Sequence, residues 1–226
     1  MTSMNRAFKN QLYEQFARIG KAISSPKRLE ILDLLGQGER TVESLSKEAS
    51  QSVANCSRHL QVLRQANLVE ARKEGTYVFY RLADAGVGSF WLGFRGLAER
   101  RLAEVERVVR DYLELKDDLE PVGCAELLER LQAGEVVVLD VRPEEEYRAG
   151  HLPGALFVPP GEVERRLASL PRDREIVAYC RGRYCVYAVD AVKVLRRHGF
   201  AARRMEQGIP EWRLLGFPVE VGVDRG

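Results

Sequence analysis

Apolar residues in the first part of the chain recur at helical spacing. Phe16, Ile19 and Ile23 form one series and Leu29, Ile31, Leu32 and Leu35 a second, with Ser25 and Pro26 between them as N-cap and first-turn residue. Gly36 and Gly38 stop the second helix. Thr41, followed by Ser44, opens a short third helix, TVESLSKEA. Ser50 or Ser52 opens a fourth, whose apolar positions are Val53, Cys56, Leu60 and Leu63. In LVEARKEGTYVFYRLA the pattern changes to alternation around a Lys73-Glu74-Gly75 turn, which predicts a β-hairpin.

From about Asp84 to Leu119 one stripe carries Trp91, Phe94, Leu97, Leu102, Val105, Val108, Val109 and Tyr112. This predicts a long amphipathic helix with little adjoining sequence to cover its apolar face, so a partner helix from a second subunit is the economical expectation. Glu120-Pro121 and Gly123 mark a boundary. Beyond it, short apolar runs (VVVLDV, ALFVP, IVAYC, AARRM) interleave with helical patterns, the signature of an α/β domain with a mostly parallel sheet.

Composition alters this picture only when counted by segment. The 226 residues are 45% hydrophobic and 30% charged, which excludes a disordered chain, and 35 Lys and Arg nearly balance 33 Asp and Glu. Residues 1–82 nevertheless carry 13 basic against 8 acidic side chains, residues 83–121 carry 6 against 9, and the remainder carries 16 of each. The basic excess thus lies on the helices and hairpin of the first segment. No apolar run approaches the roughly 18 residues of a membrane span, and the N-terminus lacks the apolar core of a signal peptide, so a cytoplasmic protein without membrane contact is expected. The four cysteines, at 56, 124, 180 and 185, must then be weighed singly as packing, ligand or reactive thiol.

On a helical wheel Val53, Cys56, Leu60 and Leu63 fall in one arc and leave Ala54, Asn55, Arg58, Gln61 and Gln65 on the opposite face, with Ser57 and His59 on the flanks. A short helix with an Asn/Arg/Gln outer face suits the major groove, where Arg reads guanine and Asn or Gln reads adenine. Arg72, Lys73 and Arg81 of the hairpin could meet phosphates beside it. Residues 24–82, SSPKRLEILDLL through VFYRL, resemble the winged helix-turn-helix of the ArsR family of bacterial repressors, with SRHLQVLRQANLV at the recognition helix. The resemblance implies a homodimer on palindromic operator DNA, paired through the N-terminal and 84–119 helices. It also implies DNA contacts at Ser52, Asn55, Ser57, Arg58, His59 and Gln61, with Arg72, Lys73 and Tyr77 on the wing. Many members of that family are switched by metals through Cys-x-Cys on the third helix or His on the last. Here the third helix has no Cys and the last no His, so no metal site is expected. Cys56, on the apolar arc, reads as core; Cys124 stays open.

In the last segment, VVVLDVRPEEEYRAGHLPGALFVP, then IVAYCRGRYC, then QGIPEWRLLGFPV resemble the rhodanese (sulfurtransferase) domain across nearly all of residues 122–223. The resemblance implies that Cys180 carries sulfane sulfur as a persulfide. The residues support this separately. Cys180 ends a predicted strand, the RGRYC loop leads into a helix N-terminus, and Arg181 and Arg183 add positive charge, all of which should lower the thiol from its usual pKa of about 8.5. The loop departs from the common pattern, with Arg183 fourth and Cys185 sixth counting from Cys180. Val186 stands where Cys phosphatases need an Arg, which disfavours that chemistry. Cys185 could resolve a persulfide as a disulfide if the two Cα atoms approach within about 7 Å, or it could pack on the sheet. Asp140 and Arg142 read as an ion pair supporting the site, and His151 as a turn residue.

The expected fold class is therefore two domains: residues 1–120, a mostly α winged helix-turn-helix with a β-hairpin wing, and residues 121–226, an α/β rhodanese domain with a central, mostly parallel sheet. The expected function is DNA-binding transcriptional regulation coupled to a domain that senses or transfers reactive sulfur, with small sulfur donors and acceptors as partners and no cofactor. The alternatives are a sulfurtransferase that uses the winged helix only to dimerise, and a silent rhodanese fold used for docking.

Overall fold

The computed structural model describes residues 3–113 and 121–222 and divides into two compact units, Met1–Trp91 and Leu92–Gly226. Each forms around its own core.

The first unit contains α1 (Ser3–Ile23), α2 (Pro26–Gln37), β1 (Arg40–Thr41), α3 (Val42–Glu48), α4 (Val53–Gln65), β2 (Val69–Glu74), β3 (Tyr77–Leu82) and the start of α5 (Ala85–Arg101). Ile31, Leu32, Leu35, Leu45, Cys56, Leu60 and Leu63 meet in one buried cluster, and truncating any of its leucines should cost about 2–5 kcal/mol. Caps set the helix starts. Thr41 Oγ1 accepts from the Ser44 amide at 3.2 Å, and Ser52, rather than Ser50, does the same for Asn55 at 3.2 Å. Ser25 precedes α2 without a side-chain cap; Pro26 alone presets that helix.

The hairpin turns at Gly75, φ 59°, so Lys73 and Glu74 lie in the strand rather than in the turn. Strand β1, which the hydrophobic pattern did not announce, pairs with β3 to make a three-stranded sheet ordered β1-β3-β2. Val53 departs from the apolar arc and is 44% exposed, because the first turn of α4 projects beyond the core that buries Cys56, Leu60 and Leu63.

The long helix expected over 84–119 is two helices, α5 and α6 (Ala103–Leu113). At the join the Leu102 amide still bonds Ala98 O at 2.9 Å, but the Val105 amide bonds Leu102 O at 3.0 Å, a tighter turn that interrupts the helical ladder. The end of that expected helix, beyond residue 113, lies outside the described residues.

The second unit continues with α7 (Cys124–Gln132), β4 (Val136–Asp140), α8 (Glu144–Ala149), β5 (Leu156–Phe157), α9 (Val163–Arg166), β6 (Glu175–Tyr179), α10 (Val186–Arg197), β7 (Ala202–Arg204) and α11 (Ile209–Leu214). The four strands form a parallel sheet ordered β5-β4-β6-β7. Parallel strands are covered on both faces, which is why β4 reads as the unbroken run VVVLD. On one face Ile176, Ala178 and Cys180 pack with Ala188, Val192 and Leu195 of α10. On the other, Val177 and Tyr179 pack with Leu127, Ile209 and Trp212. Because all strands run the same way, the C-terminal ends of β4, β6 and β7 gather Asp140, Cys180 and Arg204 at one edge of the sheet. Among the described residues no helix is long and apolar enough to cross a membrane.

Candidate functional sites: a polar helix face and a strand-end cysteine loop

On α4, Asn55, Arg58 and Gln61 are exposed, as is Ser52 at its N-terminus, while Ser57 and His59 are half-buried. The Ser52 hydroxyl is engaged in capping. Burial, with Arg28 and Lys27 of α2 close by, lowers the His59 pKa. The wing is more selective than its composition suggested. Arg72 pairs with Glu39 at 2.6 Å and with Glu74, and its guanidinium lies 4.9 Å from the Phe79 ring centre. Arg81 pairs with Glu70 at 2.7 Å. Lys73 and Tyr77 are exposed at the tip. Much of the wing's positive charge is thus paired, Arg81 with its cross-strand neighbour Glu70, and Arg72 with Glu74 two residues along the same strand and Glu39 just ahead of β1.

In the second unit, Cys180 follows β6 and Cys185 N-caps α10. Their sulfurs form a disulfide, with the Cα atoms 6.1 Å apart. The loop between them is held at both ends. The Cys185 amide donates to Gly182 O at 3.1 Å, and Gly182, φ +117°, occupies a conformation open to glycine. Gly208 packs so closely that a Cβ there would stand 2.8 Å from the Arg181 backbone.

The arginines flanking Cys180 have carboxylate partners. Arg181 donates to Glu146 at 2.8 and 2.6 Å, and Glu146 is itself buried. Arg183 lies 3.6 Å from Glu99 and 3.8 Å from Glu206. The neighbouring Tyr184 hydroxyl is pushed up to about 12, first by burial and then by its hydrogen bond to Glu99. Neither arginine is therefore a cation reserved for the thiol, as local sequence had suggested. Asp140 and Arg142, both fully buried, form a bidentate pair at 2.6–3.2 Å, and Arg142 also donates to Gly150 O at 2.7 Å. With Glu146 4.0 Å from Arg142, a chain of alternating charges runs from the end of β4 to the cysteine loop. His151 is buried, stacked on Tyr147 at 3.8 Å and bonded to the Tyr147 carbonyl at 2.9 Å.

Sequence reasoning missed Glu146, Glu99, Tyr184 and Gly208. Only Gly208 carried a local signal, being part of the closing QGIPEW segment.

Family models match at two places: the arsR family of bacterial regulatory proteins at residues 25–71 and the rhodanese-like domain at residues 124–215. The HTH-type transcriptional regulator Rv0324 of Mycobacterium tuberculosis is 46% identical over 218 residues, 96% of each chain. The chain belongs to the ArsR family of transcriptional regulators and carries a C-terminal rhodanese-like domain. A putative sulfurtransferase of Bacillus subtilis, YtwF, is 28% identical over 42% of this chain and 91% of its own. Among solved structures, the homodimeric winged helix-turn-helix DNA-binding domain from Mycobacterium bovis is 41% identical, spans 42% of this chain and 87% of its own, and has a TM-score of 0.40. A rhodanese-related protein from Thermoplasma volcanium is 27% identical, with 44% and 96% covered and the same TM-score of 0.40. In this ArsR–rhodanese chain the first matched segment contains α4 and stops just before Arg72 of the wing, and the second contains the Cys180–Cys185 loop.

Proposed function

We propose that this ArsR-family regulator is a cytoplasmic homodimer that binds operator DNA through α4 and uses its rhodanese-like domain to read reactive sulfur. The observation that carries the reading is the closeness of Cys180 and Cys185, which are near enough to share a bond across a loop anchored on both sides. Supporting dimerisation, α1 exposes Phe8, Tyr13 and Phe16, an apolar face left open among the described residues. Supporting DNA reading, Asn55, Arg58 and Gln61 stand exposed on α4.

The chemistry balances with these two residues and a donor. The Cys180 thiolate attacks the sulfane sulfur of a donor such as thiosulfate. A new S–S bond forms as the donor's S–S bond breaks, and sulfite leaves with the electron pair. The Cys185 thiolate then attacks Cys180 Sγ, expelling the outer sulfur as hydrosulfide and leaving the disulfide. A dithiol reductant restores both thiols. Arg183 and Tyr184 lie in the loop and meet Glu99 on α5, a helix that begins at Ala85, so loop chemistry has a physical route into the helix that follows the wing.

Gel-shift titrations on a duplex selected from random sequence test this proposal. Added donor should change the affinity of the wild type by about tenfold or more, within the usual range of allosteric coupling, and leave Cys180→Ser unmoved. Identical responses of the two proteins would sink it.

A further inference from the structure

The sheet edge that presents Cys180 holds an arginine that the sequence did not single out. Side chains alternate along β7. Arg203 faces α7 and is held by Glu175 at 2.9 Å and Glu126 at 3.1 Å, whereas Arg204 shares the α10 face with Ala202. In register Arg204 lies opposite Ala178, two residues before Cys180 and on the same face. It is only 8% exposed, its Nε has no hydrogen-bond partner, and among the described residues its guanidinium makes neither a hydrogen bond nor an ion pair. Burial, with Arg183 within electrostatic reach, lowers its pKa; Glu206, shared with Arg183, opposes this.

A buried guanidinium without a partner is costly, and an anionic ligand would remove that cost. The nature of that ligand follows from what else is there. The twelve-residue helix α10 begins on this face at Cys185, with no side-chain cap on its first amides, so its N-terminus adds a second positive end beside Cys180. Arg181 and Arg183 are already matched to carboxylates. Among the described arginines around the loop, Arg204 is left without an ion-pair partner.

We infer that Arg204 is the anion-holding residue of the Cys180 site, positioning the negatively charged end of a sulfur donor at the N-terminus of α10 and so favouring anionic over uncharged reactants at the thiol. The inference rests on the sulfur-transfer reading for its natural ligand, but not for its test. Reduced full-length Cys185→Ser protein is alkylated at Cys180 with iodoacetate, which is anionic, and with iodoacetamide, which is neutral and of similar size. Arg204→Met should lower the iodoacetate-to-iodoacetamide rate ratio roughly tenfold, the effect of removing one nearby unit charge, and Arg204→Lys should restore part of it. A purely structural role would change both rates alike and leave the ratio fixed. An unchanged ratio in Arg204→Met, or in the equally uncharged Arg204→Gln where the methionine variant does not fold, overturns the inference. Persulfide formation from thiosulfate on the same proteins, read by mass spectrometry, separates the two ideas. A ratio that falls as expected while the parent protein gains no sulfur supports the anion site and overturns the donor chemistry.

Discussion

At the scale of single residues, Cys180 is as buried as Cys56 and Cys124, and what sets it and the half-buried Cys185 apart is the bond they share. Cys56 and Cys124 are buried, and burial pushes their thiols up to about 11 and about 12, with Glu43 and Glu211 adding to the effect. A raised pKa keeps the thiol protonated, so both should resist alkylation at pH 8 in the folded protein. Peptide mapping after iodoacetamide treatment should find label at Cys180 and Cys185 only when a reductant comes first, and none at Cys56 or Cys124 until the chain is denatured. Early labelling at Cys124 would revive it as a reactive thiol. The same scale places Arg181. Its neighbour in sequence is Cys180, but its neighbour in space is the buried carboxylate Glu146.

At the scale of elements, α7, β6 and β7 are stitched together by charge. Glu175 on β6 accepts from Arg130 at 2.7 Å and from Arg203 at 2.9 Å. Burial raises the Glu175 pKa, but the two arginines outweigh it and hold the carboxyl below its ordinary value. A carboxylate depressed in the folded state stabilises the protein above its unfolded pKa, and that contribution fades as pH falls through the folded value. Glu175→Gln should therefore cost about 1–2 kcal/mol at neutral pH in urea unfolding. The difference from wild type should shrink below about pH 4. A gap that stays constant with pH would assign the loss to packing instead. On the wing, Arg81 pairs with Glu70 across the hairpin and Arg72 with Glu39 ahead of β1, which leaves Lys73 at the tip as an exposed cation with no carboxylate partner among the described residues.

At the scale of the whole molecule, the near-balance of 35 basic and 33 acidic residues conceals a basic first segment whose exposed charges are fewer than its count. DNA affinity should therefore rest on few phosphate contacts and on base reading by α4. Arg58→Ala is expected to cost about 1–3 kcal/mol and to relax sequence preference, whereas Lys73→Ala should weaken all duplexes alike and reduce the salt slope by about one. Binding isotherms at several salt concentrations distinguish the two. Equal losses on selected and random duplexes for Arg58→Ala would remove it from the base-reading set.

Periodicity along this chain was enough to mark the hairpin, the interleaved strands and the helices other than the break at Leu102, because helical and strand spacings are local properties and a buried parallel strand must read as a continuous apolar run. The motifs around Arg58 and Cys180 were legible for the same reason, being contiguous. Partnership was not. Whether an arginine is free or neutralised depends on carboxylates 33 residues away in Arg72–Glu39 and 35 residues away in Arg181–Glu146. Strand β1 and the join at Leu102 likewise depend on hydrogen bonds rather than on hydrophobic pattern. Arg203 and Arg204 show the division most clearly. Adjacent and chemically identical in sequence, they are sent by the pleat to opposite faces of the sheet, one to two carboxylates and the other to the face of Cys180.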